Sequence, residues 1–390
     1  MMKRNRLLSL FFFITVSVFG QQIQLSPEAN ISVLTIGPGE SLNDAFGHNA
    51  FRINDSSRGI DVVFGYGEYD FDTPYFYLKF AQGKLNYLIS RHSFSDFYRF
   101  YSLYNRTIQE QVLNLSSDEK QHLYDYLVNN YKPENRKYLY DFFYDNCATR
   151  IRDVAEITVK NNIEFSKPSD FEPKTFRQLI HEHVGLNTWG SFGIDMALGS
   201  VIDKQATPYE EMFLPKYIHQ YFGSAKIHSS ENLVSRSTII YQKREQKTTD
   251  NFLLSPLMVI GVIAILILYI TYRDFKNKRR SKWLDISLFA ITGVVGIIML
   301  LLWFATDHTA TAQNYNLLWA VPLNMLVIGQ LFKTQVKNWF KRYIKFLIIM
   351  LCLLAMHWII GIQIYAIGLI PLLLALLLRY MYLHNYFSKQ

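Results

Sequence analysis

The stretch Asp145-Asn146-Cys147-Ala148-Thr149-Arg150-Ile151-Arg152-Asp153 decides how this chain is read. Asp145-Asn146 offers a turn and a helix cap, and Ile151, Val154 and Ala155 share one face, which predicts a helix beginning near Cys147. Residues 137–143 just upstream are aromatic-rich and predict a strand. A thiol in the first turn of a helix sits among unpaired amides at the positive end of the dipole, which favours the thiolate. Arg150, one turn on, reaches the same end. The only other cysteine, Cys352, lies inside a long apolar run, so no disulfide is expected. Cys147 is a candidate nucleophile, with a small buried hydrophobe as the alternative use of a lone cysteine.

A thiol nucleophile needs a base. Among the ten histidines the candidate is His48, which opens a predicted strand directly after Gly47 in Phe46-Gly47-His48-Asn49-Ala50-Phe51-Arg52. Gly47 would let a substrate approach closely. The neighbouring strand, residues 61–68, would supply the group that orients His48, with Tyr66 and Glu68 as candidates. Alternating hydrophobicity predicts further strands at residues 31–36, 49–53, 61–66 and 107–115. Ser116-Ser117-Asp118-Glu119 is a capping box for a helix that runs to about Tyr131. His181 and His183, two apart on a predicted helix, point away from each other and make a poor metal pair.

Half of the 390 residues are hydrophobic and 18% are charged, against about a quarter charged in ordinary soluble domains. That excludes an ordinary cytosolic enzyme. Residues 21–252 hold 24 Lys/Arg against 29 Asp/Glu, whereas residues 253–390 hold 13 against 3, so the basic excess sits beside apolar runs. A topology signal has that form; a nucleic-acid groove does not, and no nucleic-acid partner is expected. Lys3, Arg4 and Arg6 precede an apolar run to Phe19, which reads as a signal peptide over residues 1–20. Four apolar runs follow residue 252, and the last, 346–378, is far longer than the roughly 20 residues one crossing needs. It must fold back near Gly361, giving five spans at 253–272, 284–305, 317–332, 346–361 and 362–378. Residues 273–282 carry six Lys/Arg, 333–345 carry five and 306–316 none. The basic loops and the C-terminus are therefore expected in the cytoplasm, and residues 21–230 outside, joined to the first span by a polar tether over 231–252. Asp307, His308, Asn314 and Asn316 form a polar cluster at the exported rim.

A histidine on an early strand and a cysteine at a later helix start reverse the order of papain and resemble the circularly permuted papain-like folds. Asn146-Cys147 resembles the Asn-Cys pair of the lecithin retinol acyltransferase class, although Ala148-Thr149 follow where that class has an acidic residue and a histidine. More closely, the chain resembles the Bacteroidota lipoprotein N-acyltransferase family, Lnb. The likeness is carried by residues 46–52, by Tyr66-Gly67-Glu68-Tyr69-Asp70-Phe71, by Phe76-Tyr77-Leu78-Lys79-Phe80 with Gly83, and by residues 145–153. In the tail it is carried by Thr306-Asp307-His308, Asn314-Tyr315-Asn316-Leu317-Leu318-Trp319 and Pro322-Leu323.

This resemblance implies an α+β permuted papain-like exported domain followed by an all-α membrane domain of about five transmembrane helices. It also implies an inner-membrane enzyme that moves a fatty acyl group from a membrane phospholipid to the α-amine of a diacylated lipoprotein's N-terminal cysteine. Cys147 would form a thioester, His48 would carry the proton, and the Cys147 amide with the Asn146 side chain would face the oxyanion. No cofactor or metal is expected. Two rivals stay open: a membrane-anchored cysteine peptidase or amidase acting on cell-wall peptides, and a non-enzymatic assembly or sensor protein with a structural Cys147.

Overall fold

The computed structural model describes residues 23–160, 162–168, 171–228, 230–245 and 252–389, so the expected signal peptide lies outside the described residues. The first part runs through β1 (Asn30–Ile36), β2 (His48–Asp55), β3 (Ile60–Tyr69), the short helix α1 (Phe76–Ala81), β4 (Asn86–Ser93), α2 (Phe94–Leu103) and β5 (Ile108–Leu113). Next come α3 (Ser117–Tyr131), β6 (Lys137–Leu139) and α4 (Cys147–Thr158). After them lie β7 (Ile163–Glu164), α5 (Phe176–Val184), α6 (Trp189–Ala197), α7 (Pro208–Glu211), α8 (Pro215–Ser224), β8 (Lys226–Ile227), β9 (Glu231–Asn232) and β10 (Val234–Tyr241).

Seven strands form one antiparallel sheet in the order β10-β5-β1-β2-β3-β4-β6. Alternation along each strand sorts the side chains to two faces. Ile31, Val33, Phe51, Ile53, Phe64 and Tyr66 meet Leu123 and Leu127 of α3 and Ile151, Val154 and Ala155 of α4. Leu34, Ile36, Ala50 and Val63 meet Phe97 of α2 on the other face. Each large side chain buried this way stabilises the fold by roughly 2 kcal/mol relative to exposure. The capping box at Ser116 forms as read, with Glu119 returning to the Ser116 amide.

Two expectations are corrected here. Of residues 137–143 only Lys137–Leu139 pair, because Asp141 and Asp145 exchange backbone hydrogen bonds of 3.1 and 3.0 Å in a tight turn. The Asp141 carboxylate then accepts the amides of Phe143 and Tyr144. The expected tether also begins too early: Val234–Tyr241 is the edge strand β10, paired with β5. Its Arg236, Ser237 and Thr238 are exposed, and a polar edge strand that blunts further pairing looks like a linker in sequence.

The membrane part contains α9 (Pro256–Lys276), α10 (Lys282–Phe304), α11 (Asn324–Leu331), α12 (Asn338–Ile359) and α13 (Ile370–Ser388). All but α11 are long and apolar enough to cross a membrane, α13 together with the turn before it. The expected third span is not one helix: a 3-10 turn at Tyr315–Leu318 is followed by a break at Pro322 and only eight residues of α11. It nonetheless runs from one end of the helices to the other. Asn316 donates to the Asp195 carbonyl at 2.9 Å at one end, and Arg280 donates to the Leu331 carbonyl at 2.7 Å at the other. Broken backbone survives at this depth only when it is enclosed by protein. Gly296 and Gly293 of α10 provide the enclosure, since a Cβ there would fall 2.1 Å from the Ala320 carbonyl oxygen or 2.7 Å from the Met325 side chain. Asn324 is satisfied by Thr292 at 2.8 Å and by the Tyr343 hydroxyl at 2.6 Å. Lys341, Arg342 and Lys345, read as a loop, lie in the first turns of α12. Gly361, with φ +75°, makes the expected reversal before α13.

Candidate active site

Asn146 fixes the start of α4. Its Oδ1 accepts the amides of Ala148 and Thr149 at 2.8 and 2.9 Å, and its Nδ2 donates to the carbonyls of Phe142 and Phe213 at 2.7 and 2.8 Å. With both amide hydrogens donated, Asn146 is a cap and not the oxyanion donor expected of it. Arg150 is likewise drawn away from the thiol. Its Nη2 lies 2.7 Å from Asp145, its Nε also bonds that carboxylate, and its guanidinium covers the Tyr138 ring at 4.4 Å.

Cys147 is the first helical residue, and it is a free cysteine. The backbone amides of Asn49, of Ala148 and of Cys147 itself are close enough to the thiol to favour its charged form. Asn49 follows His48 along β2, so an amide that acts on the thiol belongs to the residue after the histidine. A bulge in β3 between Tyr66 and Glu68 turns Gly67 toward the same point. A Cβ on Gly67, whose φ is +99°, would lie 3.8 Å from both Cys147 Cβ and Tyr140 Cε2.

His48 borders a cavity of about 260 Å³ walled by Gly65, Glu68, His92, Phe97 and Tyr101. Its ring stacks on Tyr101 with centroids 6.3 Å apart, and Gly65 makes room for it, because a Cβ there would come within 3.2 Å of His48 Nε2. Arg106 stands over the Tyr101 ring at 5.0 Å. Its Nε donates to the Gly37 carbonyl at 2.9 Å and its Nη1 lies 3.8 Å from Asp44. Its buried Nη2 has no partner among the described residues. Sequence reasoning missed Arg106, Tyr101 and Tyr140, for which neither spacing nor motif gave a signal.

Burial pushes the Cys147 thiol up, against the pull of the three amides and the Arg106 charge. Burial also holds the His48 imidazole down to about 4, helped by the charges of Arg106 and His92. The pair therefore rests at neutral pH as a thiol and a neutral imidazole. The thiolate expected from the helix start alone does not form at rest, because desolvation outweighs a few amide dipoles.

The remaining candidates separate. Tyr66 is in the core on the α4 side and donates to Asn130 at 2.7 Å, so it does not orient His48. Glu68 is in the cavity wall with His48 and bonds His92 at 2.8 Å. Gly47, with φ +84°, is required by the backbone, because a Cβ would strike the Ile36 carbonyl oxygen at 2.6 Å. At the rim, the Asp307 amide donates to Gln82 at 2.8 Å and the His308 ring to the Phe80 carbonyl at 3.1 Å. Asn314 and Asn316 are fully buried and bind the carbonyls of Asp195, Met196 and Ala197, so they fasten α6 to the membrane part and are not open to headgroups.

Fold and site define a membrane-anchored protein whose sheet-rich exported domain carries a cysteine and a histidine and precedes a helical membrane domain. Residues 21–182 match the Lnb N-terminal periplasmic domain and residues 246–390 the Lnb transmembrane domain. The chain belongs to the Lnb family. Membership supports a role of the lipoprotein N-acyltransferase type, in an inner-membrane protein with a periplasmic N-terminal domain. No curated protein and no solved structure gave a match.

Proposed function

We propose that the protein transfers a fatty acyl chain from a membrane phospholipid, through a thioester on Cys147, to the α-amine of a lipoprotein's N-terminal diacylglyceryl-cysteine. Neutral His48 takes the thiol proton as the sulfur attacks the ester carbonyl. The Cys147 amide, in the first turn of α4, is the donor assigned to the oxyanion. Collapse breaks the ester bond, and the lysophospholipid oxygen leaves with the proton from His48. The lipoprotein amine then attacks the thioester, loses a proton to His48, and the N-acylated product departs as the thiol is restored.

One observation carries this reading. The Asn49 amide, next in the chain to His48, acts on the Cys147 thiol in a domain that is hydrogen-bonded to one end of the membrane helices. A peptidase for soluble muropeptides has no use for that attachment. Intact-mass measurement of the full-length protein in phospholipid bilayers tests it: an acyl adduct should appear on Cys147 and be absent from Cys147→Ala. Lipoprotein N-termini from cells lacking the protein should lose the amide-linked chain. Muropeptide cleavage without any acyl adduct would move the assignment to the peptidase.

The same reading puts the 277–281 loop and the end of α13 in the cytoplasm. It is supported by Arg379 of α13, which is buried against Asp274 at 2.8 Å and Asp285 at 2.7 Å and so holds these two segments together.

A further inference from the structure

The site of the thiol is connected to the membrane rim by rings. Tyr140 stands beside Cys147 across Gly67. Tyr140 stacks on Tyr87 with centroids 4.2 Å apart, Tyr87 meets Tyr69 edge-on at 5.1 Å, Tyr69 meets Phe76 at 5.7 Å, and Phe76 stacks on Phe80 at 6.5 Å. Exposure rises along the series, from 9% at Tyr87 to 50% at Phe80. The outer end is located by hydrogen bonds from His308 and Asp307 to the carbonyls of Phe80 and Gln82. Those two residues lie just beyond α10, whose last residues, Trp303 and Phe304, are the aromatic type that marks a membrane–water interface. Around Phe80, the exposed rings of Phe71, Tyr75 and Tyr77 reach 81% exposure at Tyr77, an apolar patch that a water-facing surface does not keep without a partner.

We infer that this ladder is the path of the donor's acyl chain. Residues 71–80 sit in the outer leaflet, the chain leaves the bilayer over Phe80 and Phe76, and it lies along Tyr69, Tyr87 and Tyr140 with its ester carbonyl at Cys147. Methylenes drawn from hydrocarbon into water cost free energy in proportion to the area wetted, so a chain reaching a site outside the bilayer needs unbroken apolar contact. Aromatic side chains supply it, and tyrosines keep their hydroxyls available to water at the edge. The occupant is a fatty acyl chain and not a peptide, because the series begins at the membrane rim and ends at the thiol.

The carbonyl's position rests on the acyl-transfer reading; the path does not, and it is tested without turnover. The full-length protein is placed in bilayers containing a phospholipid with a photoreactive group along one acyl chain, then irradiated and mapped by peptide mass. Label is expected on peptides carrying Tyr87 and Tyr140 as well as on residues 71–80. Label confined to residues 71–80 and the membrane helices overturns the path. In a second measurement, Phe76→Ser with Phe80→Ser should slow Cys147 acylation from a long-chain donor by about tenfold or more while slowing a six-carbon donor much less. Equal losses on both donors overturn the inference. If wild-type protein forms no acyl-Cys147 from any donor, the acyl-transfer reading fails and the labelling still decides the path.

Discussion

At Cys147 and His48 opposing terms are decided by burial. The resting thiol and neutral imidazole predict that iodoacetamide modifies Cys147 at a rate that climbs with pH through and beyond the ordinary thiol range. A plateau reaching down toward pH 4 would instead report a preformed thiolate–imidazolium pair. Cys147→Ala should abolish acylation while leaving the thermal midpoint nearly unchanged, within about 1 kcal/mol, because one small side chain is removed. His48 also sets a stability limb. Its folded value of about 4 lies below the ordinary 6.5, so between these the unfolded chain binds the proton and the folded one does not. Stability should therefore fall as pH drops from about 6.5 toward 4, and His48→Asn should flatten that part of the curve relative to wild type. Arg106 supplies the fixed positive charge of the site. Arg106→Gln should slow Cys147 acylation by about tenfold or more, with a smaller loss in Arg106→Lys, since a charge-assisted contact to a developing oxyanion or phosphate is worth a few kcal/mol. Equal, negligible effects of both would remove Arg106 from the reaction.

At the scale of elements, the cap of α4 and the broken third crossing are the two points where a small change should be felt. Asn146→Ala removes the acceptor of two amides and the donor to two carbonyls. It should destabilise the exported domain by about 2–4 kcal/mol, read as a lower thermal midpoint and faster Cys147 modification. Gly296→Ala would push a methyl into the backbone of the broken segment at Ala320, so folded yield should drop sharply. Gly329→Ala, with open space around its added Cβ, should leave the yield intact and serves as the control.

For the whole molecule, the contacts of α6 and the 307–316 loop join the two parts, and Arg379 ties the opposite ends of the helices together. Reporters inserted near Lys278 or Thr334, or fused to the C-terminus, should behave as cytoplasmic, and one near Thr311 as periplasmic. A periplasmic C-terminus would mean that the broken segment does not complete a crossing.

Some of this architecture was legible because its causes are local. A capping box is complete within four residues, so the starts of α3 and α4 could be read directly, as could the strand alternation that places Phe51 and Ala50 on opposite faces. Hydrophobic length likewise gave the membrane runs, and the reversal near Gly361 followed from the length of the last one. Tertiary structure decided what depends on residues distant in the chain. Asn146 became a saturated cap only because the Phe213 carbonyl arrives from 67 positions away. The polar strand Val234–Tyr241 became part of the sheet because β5 was there to pair with it, and the third crossing could break because Gly293 and Gly296 let another segment close over it. Arg106, Tyr101 and Tyr140 carry no periodicity or motif that links them to Cys147. Packing alone puts Tyr140 beside it and brings Arg106 and Tyr101 within electrostatic reach, and the desolvation that packing imposes sets the protonation of the thiol and the imidazole.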